Sequence, residues 1–191
     1  MPAPVYLVRH GQSEWNVRRL TQGQTAHPRL TELGREQART AAALIADDLR
    51  TTGRRVSRVV SSDLARARET ADVIAELLGV EVVSDARLRE QHLGDLEGRS
   101  YEETWAAAES HDWSDPSLPI AGGESLLAVR ERMAQCLHEL DPDDCHVIVS
   151  HGDAIRAALS HRKREPAHQA AWVEVPNGSV AYVDADITWL A

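Results

Sequence analysis

No stretch of 18 apolar residues occurs anywhere in this chain, which argues against a membrane-spanning helix. The start of the sequence lacks a basic segment followed by an apolar one, so it carries no secretory-signal pattern. The cytoplasm is therefore the expected compartment. Cysteine is scarce: Cys136 and Cys145 are the only two, and in that compartment a pair of buried, reduced thiols is expected. Internal repeats and low-complexity tracts are missing. Positive charge is also short, with 21 Lys and Arg against 30 Asp and Glu and a formal net charge of −9. That balance argues against nucleic acid or an anionic membrane as a partner. An anionic substrate would have to be met locally, by a few arginines focused in a cleft.

What is present fits one domain over residues 1–191, long enough for a sizeable core. Hydrophobic residues make up 42% and charged residues 27%, ordinary for a soluble globular protein. The spacing predicts a helix over 31–50, opened by a Thr31 cap and closed near Gly53. A strand follows at 56–61, then a helix over 65–78 stopped by Gly79, and a short strand at 80–83. Residues 88–98 read as loop. Helices are expected at 101–110 and, capped by Ser125, at 125–140. A buried strand at 146–150 leads into a helix from Asp153 to about His161. Two further strands, 172–175 and 180–183, flank a Pro176-Asn177-Gly178 turn. Strands alternating with helices imply an α/β fold, with a mostly parallel sheet covered on both faces.

The central stretch is Val5-Tyr6-Leu7-Val8-Arg9-His10-Gly11. Four apolar residues make a short buried strand that runs straight into a cation and an imidazole. Gly11 is expected to let the backbone turn and a ligand come close. Two other strands end in polar groups: 56–61 runs into Ser61-Ser62-Asp63-Leu64-Ala65-Arg66, and 146–150 into Ser150-His151-Gly152. In a parallel sheet these ends meet along one edge, where open α/β sheets bind ligands. Two arginines and two histidines there would form an oxyanion site. Guanidinium forks match phosphate oxygens, and neutral imidazole is a competent nucleophile near pH 7. The acceptor that fixes the His10 tautomer is not legible at this stage. The histidines, Cys145 and Asp153 match no zinc-ligand spacing, and no metal or other cofactor is expected. The run His161-Arg162-Lys163-Arg164 reads as a solvated face, with a grip on a distal phosphate as the sharper alternative.

In order along the chain, these segments resemble the histidine phosphatase superfamily, in its phosphoglycerate mutase-like branch. Arg9-His10-Gly11 with Glu14-Trp15-Asn16 is similar to its opening motif. Gln22-Gly23 and Leu30-Thr31-Glu32-Leu33-Gly34 follow in place. Ser61 to Ala71 resembles the segment with the second arginine, which favours Arg66 over Arg68 and Arg58. Leu88-Arg89-Glu90 with Gly94 to Gly98 resembles the acid-bearing loop, favouring Glu90 over Glu97 and Glu14. Gly122-Gly123-Glu124-Ser125 and Ser150-His151-Gly152 complete the series. The resemblance implies a three-layer α/β/α fold and a two-step reaction. His10 would attack phosphorus to form a phosphohistidine, while Arg9, Arg66 and His151 hold the non-bridging oxygens. Glu90 would protonate the leaving alcohol and then activate water. Asn16, Ser13, Gln22, Gly23, Gly152 and His92 are the expected substrate-binding residues.

Leu20, Ala26 and the extra Arg29 depart from the family pattern and reshape the rim. Only 23 residues separate Gly98 from Gly122, and the loop after Glu90 has no added cations. Hydrolysis of a small phosphomonoester is therefore expected. Phosphoglycerate mutase and a non-catalytic phospholigand-binding protein are the alternatives. The oligomeric state is left open, with a homodimer as one reading.

Overall fold

The computed structural model describes residues 3–167 and 172–191. Its centre is a six-stranded sheet in the order β3-β2-β4-β1-β5-β6. Four strands run parallel: β1 (Val5–Arg9), β2 (Val56–Ser61), β3 (Glu81–Ser84) and β4 (Cys145–Ser150). β5 (Val180–Val183) and β6 (Ile187–Leu190) add an antiparallel edge.

Side chains alternate across a strand, so each central strand feeds two cores. Val5 and Leu7 of β1 join Ile148 and Ala181 on one face, under α5 (Leu126–His138) and α6 (Gly152–Arg162). Tyr6 and Val8 join Val147, Val149 and Tyr182 on the other, under α2 (Glu32–Thr52) and α3 (Ala65–Leu78). The outcome is the expected three-layer α/β/α arrangement. β4 is buried along its whole length and β1 as far as Val8, because both faces are covered. The two cysteines lie on opposite faces of this sheet, Cys136 in one core and Cys145 in the other, both as free thiols. Burial pushes their pKa values up, to about 12 and about 11.

Local signals set the helix ends. The Thr31 hydroxyl accepts from the Gly34 N–H, and Gly53 closes α2 at φ 72°. Gly79 closes α3 in the same left-handed conformation. Ser125 caps α5, and α4 (Tyr101–Glu109) starts with a capping box between Ser100 and Glu103. A further capping box, Ser13 with Asn16, opens the single-turn α1 (Glu14–Val17), which the hydrophobic pattern does not reveal.

Two expectations fail at the carboxyl-terminal side. Residues 172–175 form no strand. Their carbonyls serve arginines instead of a ladder: Val175 O accepts from Arg9 Nη1 at 2.5 Å and Val173 O from Arg156 Nε at 2.8 Å. The hairpin partner of β5 is β6, across a turn in which Asp184 Oδ1 accepts from the Asp186 N–H. Gly11 also serves a different purpose from the one expected. A Cβ there would lie 2.1 Å from Gly34 O, so the missing side chain admits the first turn of α2.

Candidate active site

The parallel strands β1, β2 and β4 end side by side, which gathers three polar strand ends from distant parts of the sequence. Arg9 is the last residue of β1, and its N–H bonds to Ser179 O at 3.1 Å. His10 follows and donates its backbone N–H to Ser150 O, at the end of β4. Ser62, just past β2, donates to Val149 O. Arg66 sits in the first turn of α3, and His151 is the N-cap of α6.

His10 and His151 are both buried, with ring centroids 5.0 Å apart. His10 Nδ1 lies 2.7 Å from Gly11 O. A carbonyl can only accept, so Nδ1 carries the proton and Nε2 keeps its lone pair. That carbonyl is the acceptor the sequence did not name. On His151, Nε2 lies 2.9 Å from Ser62 Oγ. Ser62 Oγ accepts from the Leu64 N–H, and the ring nitrogen is the one acceptor for its own hydrogen among the described residues. The neutral His151 ring then carries its proton on Nδ1, a buried nitrogen with no partner among the described residues. Burial pushes both imidazole pKa values well down, and the neighbouring Arg66 and Arg9 push the same way. Both rings are neutral at pH 7.

Arg66 is 1% exposed and is fixed by backbone oxygens. Its Nη1 donates to Thr25 O at 2.9 Å and its Nη2 to Gly23 O at 2.8 Å. Burial lowers its pKa to about 10, against the support of Glu90, so it stays charged at neutral pH. Arg9 is lowered for the same first reason. The Nε atoms of Arg9 and Arg66 are buried without a partner among the described residues. With His151 Nδ1, three buried donors are thus left over, on groups close enough to shift one another's titration.

Glu90 reaches the first turn of α6. Its Oε1 accepts from the N–H groups of Gln91 (2.9 Å), Asp153 (3.1 Å) and Ala154 (3.1 Å). Those bonds and Arg9 favour the carboxylate, but burial and the nearby Asp153 outweigh them and raise its pKa. The loop that carries Glu90 is held from behind by Arg132 of α5. Arg132 donates to the carbonyls of Arg87, Arg89 and Glu90 and pairs with Glu124 at 2.9 Å. The 121–124 loop packs directly on it: a Cβ on Gly94 would lie 2.0 Å from Ala121 O.

His10, His151, Arg9, Arg66 and Glu90 therefore share one place. Gly152 joins them, since a Cβ on it would sit 3.7 Å from both Arg9 Cζ and Glu90 Oε2. The remaining expected residues form a wall beside it. Ser13 is buried and shares its hydroxyl between Gln22 Oε1 (2.8 Å) and Asn16 Oδ1 (3.0 Å). Asn16 Nδ2 donates to the Tyr101 hydroxyl. Gly23 supplies the carbonyl that holds Arg66. The His92 side chain is 44% exposed and 3.7 Å from Glu97. Three of the competing residues lie elsewhere: Arg68 pairs with Asp72 on an exposed helix face, and Arg58 and Glu14 are exposed. Glu97 accepts from the Gln24 and Leu93 N–H groups.

Sequence reasoning missed Ser62, Arg132 and Arg156. Arg156 Nη1 would lie 3.2 Å from a Cβ on Gly152 and pairs with Asp153 at 2.7 Å. Its Cζ stacks 3.8 Å from the Trp172 ring centroid. Its position one helical turn after Gly152 was the available signal.

Known proteins resemble this chain over nearly its whole length. Residues 5–187 match the histidine phosphatase superfamily (branch 1). Probable phosphoglycerate mutase GpmB of Serratia proteamaculans (strain 568) is 38% identical over 197 residues, covering 98% of this chain and 87% of that protein. The structure of a mycobacterial glucosyl-3-phosphoglycerate phosphatase complexed with VO3 matches with a TM-score of 0.83 and 32% identity, covering 98% of this chain and 96% of that one. The crystal structure of phosphoglycerate mutase from Thermus thermophilus matches with a TM-score of 0.71 and 31% identity, covering 98% of both chains. The chain belongs to the histidine phosphatase superfamily, branch 1.

Proposed function

We propose that this protein, one domain over residues 1–191, hydrolyses a small phosphorylated metabolite through a phosphohistidine on His10. The observation that carries the reading is a set of three buried, unpartnered donors on groups packed around His10, whose Nε2 is free. Arg9 Nε, Arg66 Nε and His151 Nδ1 offer hydrogen bonds to phosphoryl oxygens. Donors fixed before the reaction stabilise the charge that builds up on those oxygens in the transition state.

In the first step His10 Nε2 attacks phosphorus and the P–O ester bond breaks. Glu90, whose pKa burial and Asp153 raise, gives its proton to the departing alkoxide. In the second step Glu90 takes a proton from water, the water oxygen bonds phosphorus, and the P–N bond breaks to release phosphate. The two guanidinium groups supply the positive charge, and the neutral His151 ring adds a hydrogen bond. Ser13, Gln22 and Asn16 shape the adjoining wall, and His92 and Gly152 border the substrate.

The second reading, a phosphoglycerate mutase, is favoured by the name of the Serratia relative. Hydrolysis is favoured by the charge of the covering segment. Between Arg99 and Arg130 the sequence contains no Lys or Arg, but six Asp and Glu. A mutase must retain a phosphorylated intermediate and exclude water from it. This segment offers no cation for that task. The test is to supply the purified protein with phosphoglycerates and a panel of phosphomonoesters. Phosphate release is expected to exceed interconversion. Faster interconversion of phosphoglycerates would establish the mutase reading instead. No release from p-nitrophenyl phosphate between pH 5 and 8 would leave a non-catalytic binding protein.

A further inference from the structure

The run His161-Arg162-Lys163-Arg164 takes no part in the site above. α6 starts at the catalytic pocket with Gly152 and ends at Arg162, so at 1.5 Å per residue the two ends lie about 15 Å apart. The run therefore lies at the opposite end of the sheet, beside Ala3 and the start of β1, and cannot hold a second phosphate of the same small substrate.

There it borders a cavity of about 520 Å³, lined by residues including Ala3, Leu137, His138, His161, Arg162 and Arg164. No carboxylate belongs to the lining among the described residues. The His138 and His161 rings meet edge to face, with centroids 5.2 Å apart. Arg162 Nη2 donates to Ala3 O at 2.5 Å, but its Nε and Nη1 are buried with no partner among the described residues. Cations at helix carboxyl ends are ordinarily explained by the helix dipole. The dipole does not explain two buried guanidinium donors left unpaired, which is costly. Arg164 adds a second guanidinium from a left-handed backbone position, φ 58°. Burial lowers the His161 pKa, and the nearby His138, Arg130 and Arg162 lower it further, so the surroundings are positive.

We infer that this cavity is a second anion site, built to take a small organic phosphate or phosphonate. The Arg162 and Arg164 guanidiniums meet the anion, and Ala3 and Leu137 meet its apolar substituent. A guanidinium fork suits such an anion better than a solvated point charge would.

Phenylphosphonate is the probe, because its C–P bond is not a phosphate ester and resists hydrolysis. It is titrated into the full chain while the imidazole signals of all the histidines are followed by NMR. His138 and His161 report this cavity, and His10 and His151 report the catalytic pocket in the same spectra. The expected result is a saturable shift of the His138 and His161 signals. Arg164→Gln and Arg162→Gln should each weaken it at least fivefold and leave the His10 and His151 titration unchanged. Arg164 is exposed, so its substitution leaves the fold intact even if Arg162→Gln does not. Lys163→Gln, outside the lining, should change nothing. A shift that sodium chloride reproduces at matched ionic strength would overturn the inference. So would a saturable shift that both arginine variants preserve.

Discussion

The floor and the rim of the candidate active site are built by different means. On the floor, most charged and titratable groups are fixed by the backbone. Gly11 O holds His10, Thr25 O and Gly23 O hold Arg66, and three N–H groups hold Glu90. On the rim, most side chains are fixed by one another. Arg19 pairs with Glu102 and stacks on Tyr101 and Trp105, Trp15 meets His27 edge to face, and Arg156 lies over Trp172. Backbone anchors survive most substitutions nearby. A side-chain anchor disappears with a single change. The difference teaches that the chemistry is tied to the fold itself, whereas selectivity can change with the sequence of the rim.

The largest effect should follow removal of the proposed nucleophile. His10→Ala is expected to bring phosphate release to the background rate while circular dichroism shows an intact fold. It should also abolish an acid-labile phosphoprotein seen on rapid quenching with labelled substrate. Retained activity would remove His10 from its proposed role and with it the importance of the floor. Next comes Glu90→Gln, expected to lower kcat by about 10²–10⁴-fold on alkyl phosphates. With p-nitrophenyl phosphate, whose leaving group needs little protonation, the first step should be nearly spared. An equal loss on both substrates would show that Glu90 acts only by packing.

A smaller effect is expected for Ser62→Ala. It removes the hydrogen that sets the His151 tautomer, worth about 1 kcal/mol, which is roughly fivefold in kcat. The pH profile of kcat should shift as well, because Nε2 of His151 would be free to take up a proton. An unshifted profile would leave Ser62 with a merely structural role.

Stability should divide the floor itself through pH. His10 and His151 have folded pKa values depressed below the ordinary value of about 6.5. The unfolded chain therefore takes up protons on them first. Their contribution is full above about pH 6.5 and is lost as pH falls toward the folded values, at up to about 1.4 kcal/mol per pH unit for each. Glu90 has the opposite sign. Its pKa is raised, so its contribution is present below the ordinary carboxylate value and is lost as pH rises through the folded one. Thermal unfolding between pH 7 and 5 should show a steep loss, flattened by His10→Gln with His151→Gln and steepened by Glu90→Gln. A profile that neither change alters would show that the buried imidazoles are not held neutral.

Much of this floor was legible because its signals are local. Thr31, Gly53 and Gly79 mark helix ends through their own hydroxyl or backbone freedom, and apolar runs ending in His10 and His151 mark strand ends. The family match over residues 5–187 and the sheet agree with the fold class read from those signals. What stayed hidden depends on partners far along the chain. Ser62 meets His151 across 89 residues, and Arg132 grips carbonyls 42 to 45 residues away. On an amphipathic helix, Arg132 reads as one more surface charge. Residues 172–175 have strand composition, but their carbonyls are taken by Arg9 and Arg156. Composition cannot show which acceptor a guanidinium will choose.

The smallest effect should come from Trp172→Ala on the rim. The ring is 77% exposed, and the cation–π contact it gives Arg156 is worth about 0.5–1 kcal/mol at such a site. Without it, Arg156 keeps its bonds to Val173 O and Asp153 but loses the plate that limits its motion. KM for the best phosphomonoester should rise roughly twofold to fivefold, as that energy converts, with kcat unchanged. p-Nitrophenyl phosphate, which offers little for a rim arginine to read, should be unaffected. If Trp172→Ala instead lowered kcat on both substrates, Arg156 would belong with the floor, and the division between backbone-held chemistry and side-chain-held selectivity would run through a different residue.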